Sequence, residues 1–267
     1  MLFDTHTHLN DESYTKNELE ALIQEIEASQ LSYVVDVGAD LPGSITAIEH
    51  ACTYPWCYAS VGIHPEFADR TKERDMDTVL ELAKNERVVA VGEIGLDYHY
   101  TKEFIKEQQY WFIRQIEIAN TLRKPLIIHS READQDTLDI LKAQGVFSKE
   151  RKSFFKDGLS HTVIHCFSGS KELALEYVKL GAYIGVDGPL TFRNNRKTVE
   201  VVKAVPLDRI VVETDAPYLT PEPFRGKKNK ATNVEYVVRK VAEIKGISYE
   251  EAARATLENG KNLYCID

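Results

Sequence analysis

The sequence lacks any hydrophobic run long enough to cross a membrane. Hydrophobic residues make up 43% of its 267 residues, but no apolar stretch approaches the roughly 18 residues that a transmembrane helix needs. The amino terminus also lacks a basic segment followed by an apolar one, so we predict neither a signal peptide nor a membrane partner. The length suits one large domain, which we predict over residues 1–267.

Cysteine is scarce, and its spacing does not match a common metal or redox motif. The four cysteines are Cys52, Cys57, Cys166 and Cys265, and no two of them form a Cys-x-x-Cys pair. We therefore interpret them as reduced thiols and predict a cytoplasmic protein.

An excess of positive charge is absent as well. The formal net charge is −9, which argues against a protein that covers long duplex nucleic acid with a basic face. The same charge still allows a protein that takes the end of a strand into a local basic pocket.

Short runs rich in valine and isoleucine alternate with longer segments of helical periodicity. We predict strands at Leu2–Asp4, Tyr33–Gly38, Cys57–His64, Arg87–Glu93, Pro125–His129, Thr162–Phe167, Ala182–Val186 and Arg209–Glu213. We predict helices at Asn17–Gln30, Pro42–Cys52, Asp75–Asn85, Glu103–Arg123, Ala133–Ala143, Glu172–Leu180, 195–204, Val234–Lys245 and Tyr249–Glu258. Residues 146–160 form a polar, basic insert, which we interpret as a solvated loop or helix extension.

Eight nearly continuous apolar strands, each followed by a helix, indicate a parallel sheet covered by helices. In a chain of 267 residues this order favours a closed, TIM-like (β/α)8 barrel. An open, doubly wound sheet is the alternative. No G-x-G-x-x-G follows the first strand, which disfavours the dinucleotide-binding form of that alternative.

Polar side chains recur where the predicted strands end. They are His6, His8, His64, Glu93, His129, His165 and Asp215. Side chains at i and i+2 of a strand point to the same face, so His6 and His8 project together. The carboxyl ends of all barrel strands open onto one face, which holds the active site in barrel enzymes. We therefore expect these residues to meet at the mouth of the barrel.

Histidine and carboxylate side chains in this number predict a two-metal site. The predicted ligands are His6, His8, Glu93, His129, His165 and Asp215. Two divalent ions about 3.5–4 Å apart share an anionic bridge, and Glu93 is the carboxylate on the middle strand of the set. His6 and His8 would hold one ion and His129 and His165 the other. The ligand types suit Zn, Mn, Co or Ni, and also Mg if one site is weak.

The motifs around these residues resemble those of the TatD-family metal-dependent deoxyribonucleases, within the amidohydrolase-like metal-dependent hydrolases. The matching segments are Asp4–His8, Gly62–Pro65, Gly92–Tyr98, His129–Arg131, His165–Gly169, Glu213–Leu219 and Arg225–Lys227. The resemblance implies a TIM-like barrel, a divalent-metal site and hydrolysis of DNA phosphodiester bonds, often 3′→5′ on single strands. It also implies that Glu93 and Asp215 are catalytic and that His64 contacts the substrate.

Basic residues near the predicted mouth are candidates for phosphate binding. The guanidinium group of Arg131 suits a phosphate or, equally, a salt bridge to a nearby carboxylate. Arg225 and Lys227 follow strand eight, where barrels often bind phosphate, and we predict phosphate contacts for both. For Lys228 and Lys230 we predict exposure to solvent.

Two further residues have alternative interpretations. Glu213 should face the same way as Asp215, and it either orients a ligand histidine or belongs to a buried ion pair. Tyr218 follows Asp215 and either stacks on a base or only lines the pocket.

Three functions are compatible with a metal site at a barrel mouth. The first is a nuclease that acts on the ends of single-stranded DNA. The second is hydrolysis of another bond, such as a lactone, a cyclic amide or the ester of a D-aminoacyl-tRNA. The third is a non-catalytic protein with a structural metal, which the large ligand set disfavours because structural zinc sites are closed and four-coordinate. Arg131, Arg225 and Lys227 favour phosphate and hence the nuclease.

Overall fold

The computed structural model describes residues 1–99 and 102–267 and contains one sheet of parallel strands in the order of the chain. The strands are β1 Leu2–Thr7, β2 Leu31–Val37, β3 Cys57–Val61, β4 Val88–Asp97, β5 Leu126–Arg131, β6 Thr162–Ile164, β7 Tyr183–Val186 and β8 Ile210–Val212. The helices are α1 Lys16–Ala28, α2 Leu41–Thr53, α3 Glu73–Leu82, α4 Ile105–Leu122, α5 Asp134–Ala143, α6 Lys149–Lys152, α7 Lys171–Leu180, α8 Arg196–Ala204, α9 Val234–Lys245 and α10 Tyr249–Tyr264.

The two edges of the sheet meet and close the barrel. The backbone N–H of Asp215, just beyond β8, donates to the carbonyl of His6 at 3.0 Å. The hydroxyl of Thr5 in β1 donates to the carbonyl of Val212 in β8, also at 3.0 Å. The predicted (β/α)8 barrel is therefore confirmed, and residues that are far apart in sequence become neighbours at its mouth.

Alternation along the strands divides the core into two layers. Inside the barrel lie Phe3, Val35, Val89, Ile127, Val163, Tyr183 and Val211, which cluster with Leu263 and Tyr264 of α10. Between the strands and the surrounding helices lie residues of the opposite parity, such as Val34, Val88 and Ile128. Because both faces of each strand are covered, the strands read as continuous apolar runs. Each such side chain contributes about 1.5–3 kcal/mol on burial.

Polar caps set the starts of several helices. Thr15 accepts from the backbone N–H of Glu18 while the Glu18 carboxylate accepts from that of Thr15, so α1 begins with a capping box. The side chain of Asp40 caps α2 by accepting from the backbone N–H of Gly43 at 2.8 Å. These local bonds fix where the chain turns back after β1 and β2.

Some strand ends differ from the prediction, and two of the differences affect the site. Strand β4 continues through Glu93 to Asp97, so Glu93 lies within the strand and not at its end. Strand β3 ends at Val61, and His64 caps a short 3-10 helix at Pro65–Phe67. β4 continues beyond Glu93 because the residues that follow are buried as well. All ten positions of the strand are buried.

The prediction of a solvated loop or helix extension for residues 146–160 is wrong for Arg151, which is buried. The segment contains the short helix α6, and Arg151 is only 2% exposed. Its guanidinium group donates to the Asn120 side chain at 2.5 Å and to the carbonyl of Lys124 at 2.9 Å. Burial lowers the pKa of Arg151 to about 10.

Among the described residues, no helix is long and apolar enough to span a bilayer.

Candidate metal centre

Glu93 lies at the centre of the polar side chains inside the barrel mouth. One of its oxygens, Oε1, lies 2.7 Å from Nδ1 of His129 and 2.9 Å from Nε2 of His165. The other, Oε2, lies 3.5 Å from Nε2 of His6 and 3.8 Å from Nε2 of His8. The carboxylate therefore faces two pairs of histidines with its two oxygens, as a bridging ligand does.

Asp215 adds a second carboxylate beside the pair from β1. Its Oδ1 lies 3.3 Å from Nε2 of His8 and 3.6 Å from Nε2 of His6. The backbone of Asp215 has φ of 55°, in the left-handed region that non-glycine residues rarely occupy. This conformation occurs where the chain leaves β8 and its N–H bonds to the His6 carbonyl, which brings Asp215 next to His6.

Hydrogen bonds to the Nδ1 atoms of His8 and His165 determine which ring nitrogen carries the hydrogen. Nδ1 of His8 lies 2.8 Å from the carbonyl of Val37, which can only accept, so Nδ1 carries the hydrogen and Nε2 of the neutral ring keeps its lone pair. Nδ1 of His165 lies 3.1 Å from Oε1 of Glu213. The same oxygen accepts from the backbone N–H of Cys166 at 2.6 Å. Glu213 therefore orients His165, as carboxylates behind metal ligands commonly do.

The residues fit a divalent metal because their lone pairs converge in a buried space. The Nε2 atoms of His6 and His8 lie only 3.2 Å apart. Sets of three donor atoms within 4.8 Å of one another occur as His6 with His8 and Glu93, as His6 with His165 and Asp215, and as His64 with Glu93 and His129. A cation would stabilise donors that otherwise face one another, and imidazole with carboxylate suits zinc and its first-row neighbours.

The charges in this cluster shift the pKa values of its members. Burial opposes ionisation of Glu93, but the charge of His165 and the hydrogen bonds from His129 and His165 hold the pKa of its carboxyl well below the usual value. Burial also opposes protonation of His8, yet Asp215 raises the pKa of His8 to about 9. The carboxylate of Glu93 therefore stays ionised and is available to bind a cation.

His64 differs from the other histidines in its hydrogen bonding. Its Nδ1 accepts from the backbone N–H of Glu66 at 3.3 Å, so the neutral ring carries its hydrogen on Nε2. That nitrogen lies 3.8 Å from Oε1 of Glu93. Burial and the neighbouring His129 lower the pKa of His64 to about 3. A neutral His64 therefore presents an N–H donor to the centre, which suits a substrate contact better than a metal ligand.

Three buried carboxylates of the mouth were not selected from the sequence. Oδ2 of Asp97, at the end of β4, lies 3.2 Å from Nε2 of His129. Asp4 accepts from the backbone N–H of Thr214 at 2.9 Å. Asp187 follows β7, and burial together with two neighbouring carboxylates raises its pKa to about 8. Two features of the sequence could have identified two of them. Asp187 directly follows a predicted strand, and Asp97 lies four residues after Glu93, so Glu93 and Asp97 point to the same face of a strand.

The predicted phosphate-binding residues lie around the barrel in different surroundings. Arg131 is the last residue of β5 and is partly exposed. The guanidinium carbon of Arg225 lies 4.3 Å from the centre of the Phe192 ring. Lys227 lines a cavity of about 430 Å³ together with Leu2, the first residue of β1.

Lys228 is exposed and Lys230 is partly exposed, and each pairs with an acidic residue of α1. Nζ of Lys228 lies 3.0 Å from the Glu18 carboxylate, and Nζ of Lys230 lies 2.5 Å from that of Glu25.

Tyr218 lies at the mouth of the barrel. The residue is 54% exposed, and its hydroxyl donates to the Asp11 carboxylate at 2.6 Å.

A (β/α)8 barrel with converging histidine and carboxylate side chains at its mouth is typical of metal-dependent hydrolases. Comparison with known proteins agrees with this class. The profile of the family described as TatD related DNase matches residues 3–265. The chain belongs to this TatD family of metal-dependent hydrolases, as its motifs predicted.

Similar proteins span the whole chain. The chain is 42% identical to the protein described as uncharacterized metal-dependent hydrolase YabD of Bacillus subtilis (strain 168), with 100% of both chains covered. It is 36% identical to the similarly described YcfH of Escherichia coli (strain K12), covering 100% of this chain and 96% of that one. Among solved structures, the TatD homologue YjjV from Escherichia coli K12 superposes with a TM-score of 0.88 at 28% identity, covering 100% of this chain and 98% of that chain.

Proposed function

We propose that this protein hydrolyses phosphodiester bonds of DNA and removes nucleotides from the 3′ end of single strands. The observation that carries the proposal is the position of Glu93, whose two oxygens face two separate pairs of histidines. Such a carboxylate suits a pair of divalent ions, the usual arrangement for attack on a phosphodiester. The family described as TatD related DNase supports the choice of DNA.

The residues of the cluster can be given roles on this proposal. His6, His8, His129, His165, Glu93 and Asp215 would hold the ions. Bound divalent ions polarise the phosphoryl oxygens and make an attacking water available at neutral pH. Asp215 would accept the proton of that water, since its carboxylate lies beside the β1 histidines. His64 would donate from Nε2 to a phosphate oxygen.

The test is a comparison of substrates with the metal-loaded protein. Single-stranded DNA labelled at the 5′ end, the same strand labelled at the 3′ end, the duplex and a D-aminoacyl-tRNA are incubated with the protein and each of Mg, Mn, Zn, Co and Ni. We expect a ladder of shortened products from the 5′-labelled strand and release of single labelled nucleotides from the 3′-labelled strand. Hydrolysis of the aminoacyl ester without cleavage of DNA would refute the proposal.

A further inference from the structure

The loops that follow β7 and β8 pack against each other beside the metal centre. The backbone N–H of Glu222 donates to the hydroxyl of Thr191 at 2.8 Å. A Cβ atom on Gly188 would lie 1.8 Å from the carbonyl oxygen of Leu219, so the two backbones touch at this point. The first loop begins at Asp187 and the second contains Asp215. The surface they form is therefore continuous with the mouth.

Four cations lie on or beside these loops without an ion-pair partner in residues 1–99 and 102–267. They are Arg193, Arg196, Lys197 and Arg225, and all four are exposed. Their state contrasts with that of Lys228 and Lys230, whose ammonium groups are bound by α1 glutamates. In a chain of net charge −9, unneutralised cations on or beside two loops that pack together make a local positive surface.

A groove runs from this surface between α8 and α9. Its volume is about 480 Å³, and its lining includes Phe192, Arg193, Arg196, Lys203 and Lys240. The two lysines are neutralised by Glu200 at 3.0 Å and Glu243 at 2.6 Å. The positive charge of the groove therefore comes from the two arginines at its end nearest the loops.

Phe192 connects the groove to Arg225. The Arg225 guanidinium lies over the Phe192 ring at 4.3 Å, a cation–π contact that holds the side chain near the groove. A guanidinium group held in this way loses less conformational freedom when it binds a phosphate. We call the surface formed by Phe192, Arg193, Arg196 and Arg225 the cationic groove.

We propose that the cationic groove binds the part of a single-stranded DNA that extends from the metal centre, with Arg193, Arg196 and Arg225 contacting successive phosphates. This inference rests on the proposed function, because it takes the scissile strand to lie in the barrel mouth. A flexible polyanion can follow a groove that carries a few cations, whereas a duplex would also face the acidic remainder of the surface. The groove thus adds affinity for longer strands without taking part in bond cleavage.

The test compares substrates of different length with the metal-loaded protein. Thymidine 5′-p-nitrophenyl phosphate reaches only the metal centre, whereas oligothymidylates of 4, 8 and 16 nucleotides reach the groove. The variant is Arg193→Glu/Arg196→Glu. The matched control is Lys149→Glu/Lys156→Glu, which makes the same charge change at exposed positions of the 146–160 segment.

We expect the KM of the unmodified protein to fall with oligonucleotide length. The groove variant should raise the KM for the 16-mer by roughly tenfold or more and reduce its salt slope by about 1.4, because each single-strand phosphate contact contributes about 0.7. Its kcat and its kinetics on the thymidine ester should not change. Arg193→Lys/Arg196→Lys should retain most of the salt slope, since lysine also neutralises phosphate. The control should behave as the unmodified protein does.

The inference and the proposed function fail in different ways. If oligonucleotides are cleaved but the groove variant matches the control in KM and salt slope, the groove does not bind DNA and the proposed function stands. If no phosphodiester is cleaved, the proposed function is wrong. Fluorescence anisotropy with a labelled 16-mer then tests whether the cationic groove binds single-stranded DNA. Weaker binding by the groove variant than by the control supports it, and equal binding refutes it.

Discussion

Nε2 of His165 lies 2.9 Å from Oε1 of Glu93, although the two residues come from different strands of the barrel. Because the other oxygen of Glu93 faces the histidines of β1, removing the charge of Glu93 should weaken both halves of the centre. We expect Glu93→Gln to lower metal affinity by more than the roughly 10–100-fold that loss of an outer partner costs. Metal content after dialysis against graded chelator measures this.

Glu81→Gln provides the matched control for Glu93→Gln, because Glu81 is an exposed surface residue that pairs with Lys84 at 2.6 Å. It should retain full metal content. Equal metal content in Glu93→Gln and the control would show that Glu93 is not a ligand.

Asp215 and His129 should differ in how their variants respond to metal. Asn at position 215 keeps one ligating oxygen but is a poor proton acceptor, so Asp215→Asn should reduce turnover by roughly 10²–10⁴ with a smaller change in metal occupancy. His129→Ala should lose mainly the ion on its side of Glu93, and excess metal should partly restore activity. Activity measured across metal concentration separates the two. Full recovery of Asp215→Asn with added metal would limit Asp215 to a ligand.

Glu213 would act on a bound metal through His165. Its Oε1 accepts from Nδ1 of His165 at 3.1 Å and holds the ring with Nε2 toward Glu93. Glu213→Gln keeps the shape and removes the charge, so we expect metal affinity to fall roughly 10–100-fold while the fold persists. Isothermal titration with zinc gives the affinity, and circular dichroism gives the fold. Unchanged affinity would mean that Glu213 only fills the space behind His165.

Gly95 allows β4 and β5 to approach each other beside the site. A Cβ atom there would lie 1.9 Å from the carbonyl oxygen of His129, and its φ of 149° is one that L residues rarely adopt. Gly95→Ala should therefore separate the strands and lower both the melting temperature and metal content. Gly246→Ala is the control, because that residue also has positive φ (67°) but a Cβ meets nothing within 4 Å. Equal shifts for both variants would contradict the close approach.

The periodicity of the chain was sufficient to predict the barrel. Val and Ile runs such as Val88–Val91 cannot be exposed, and eight of them separated by amphipathic helices leave few arrangements that cover both faces of every strand. The convergence of the predicted ligands was also predictable, because functional side chains of a barrel collect at the carboxyl ends of its strands. His6, His129 and His165 stood at those ends in the sequence.

The orientation of each side chain depended on the tertiary structure. Which nitrogen of His8 carries its hydrogen follows from the carbonyl of Val37 on the neighbouring strand. Whether His64 donates or ligates follows from a bond to the backbone of Glu66. These partners are set by strand register and by loop conformation, which periodicity does not encode.

The sequence by itself determined the barrel, the identity of the predicted ligands and the family, because these follow from residue type and spacing. Only the tertiary structure decided which charges remain unpaired. Lys228 and Arg225 belong to one basic run, but a glutamate of α1 lies 3.0 Å from Nζ of Lys228, whereas Arg225 lies over Phe192. The field of a charge depends on its neighbours in space, and those neighbours are brought together only when the loops after β7 and β8 fold against each other.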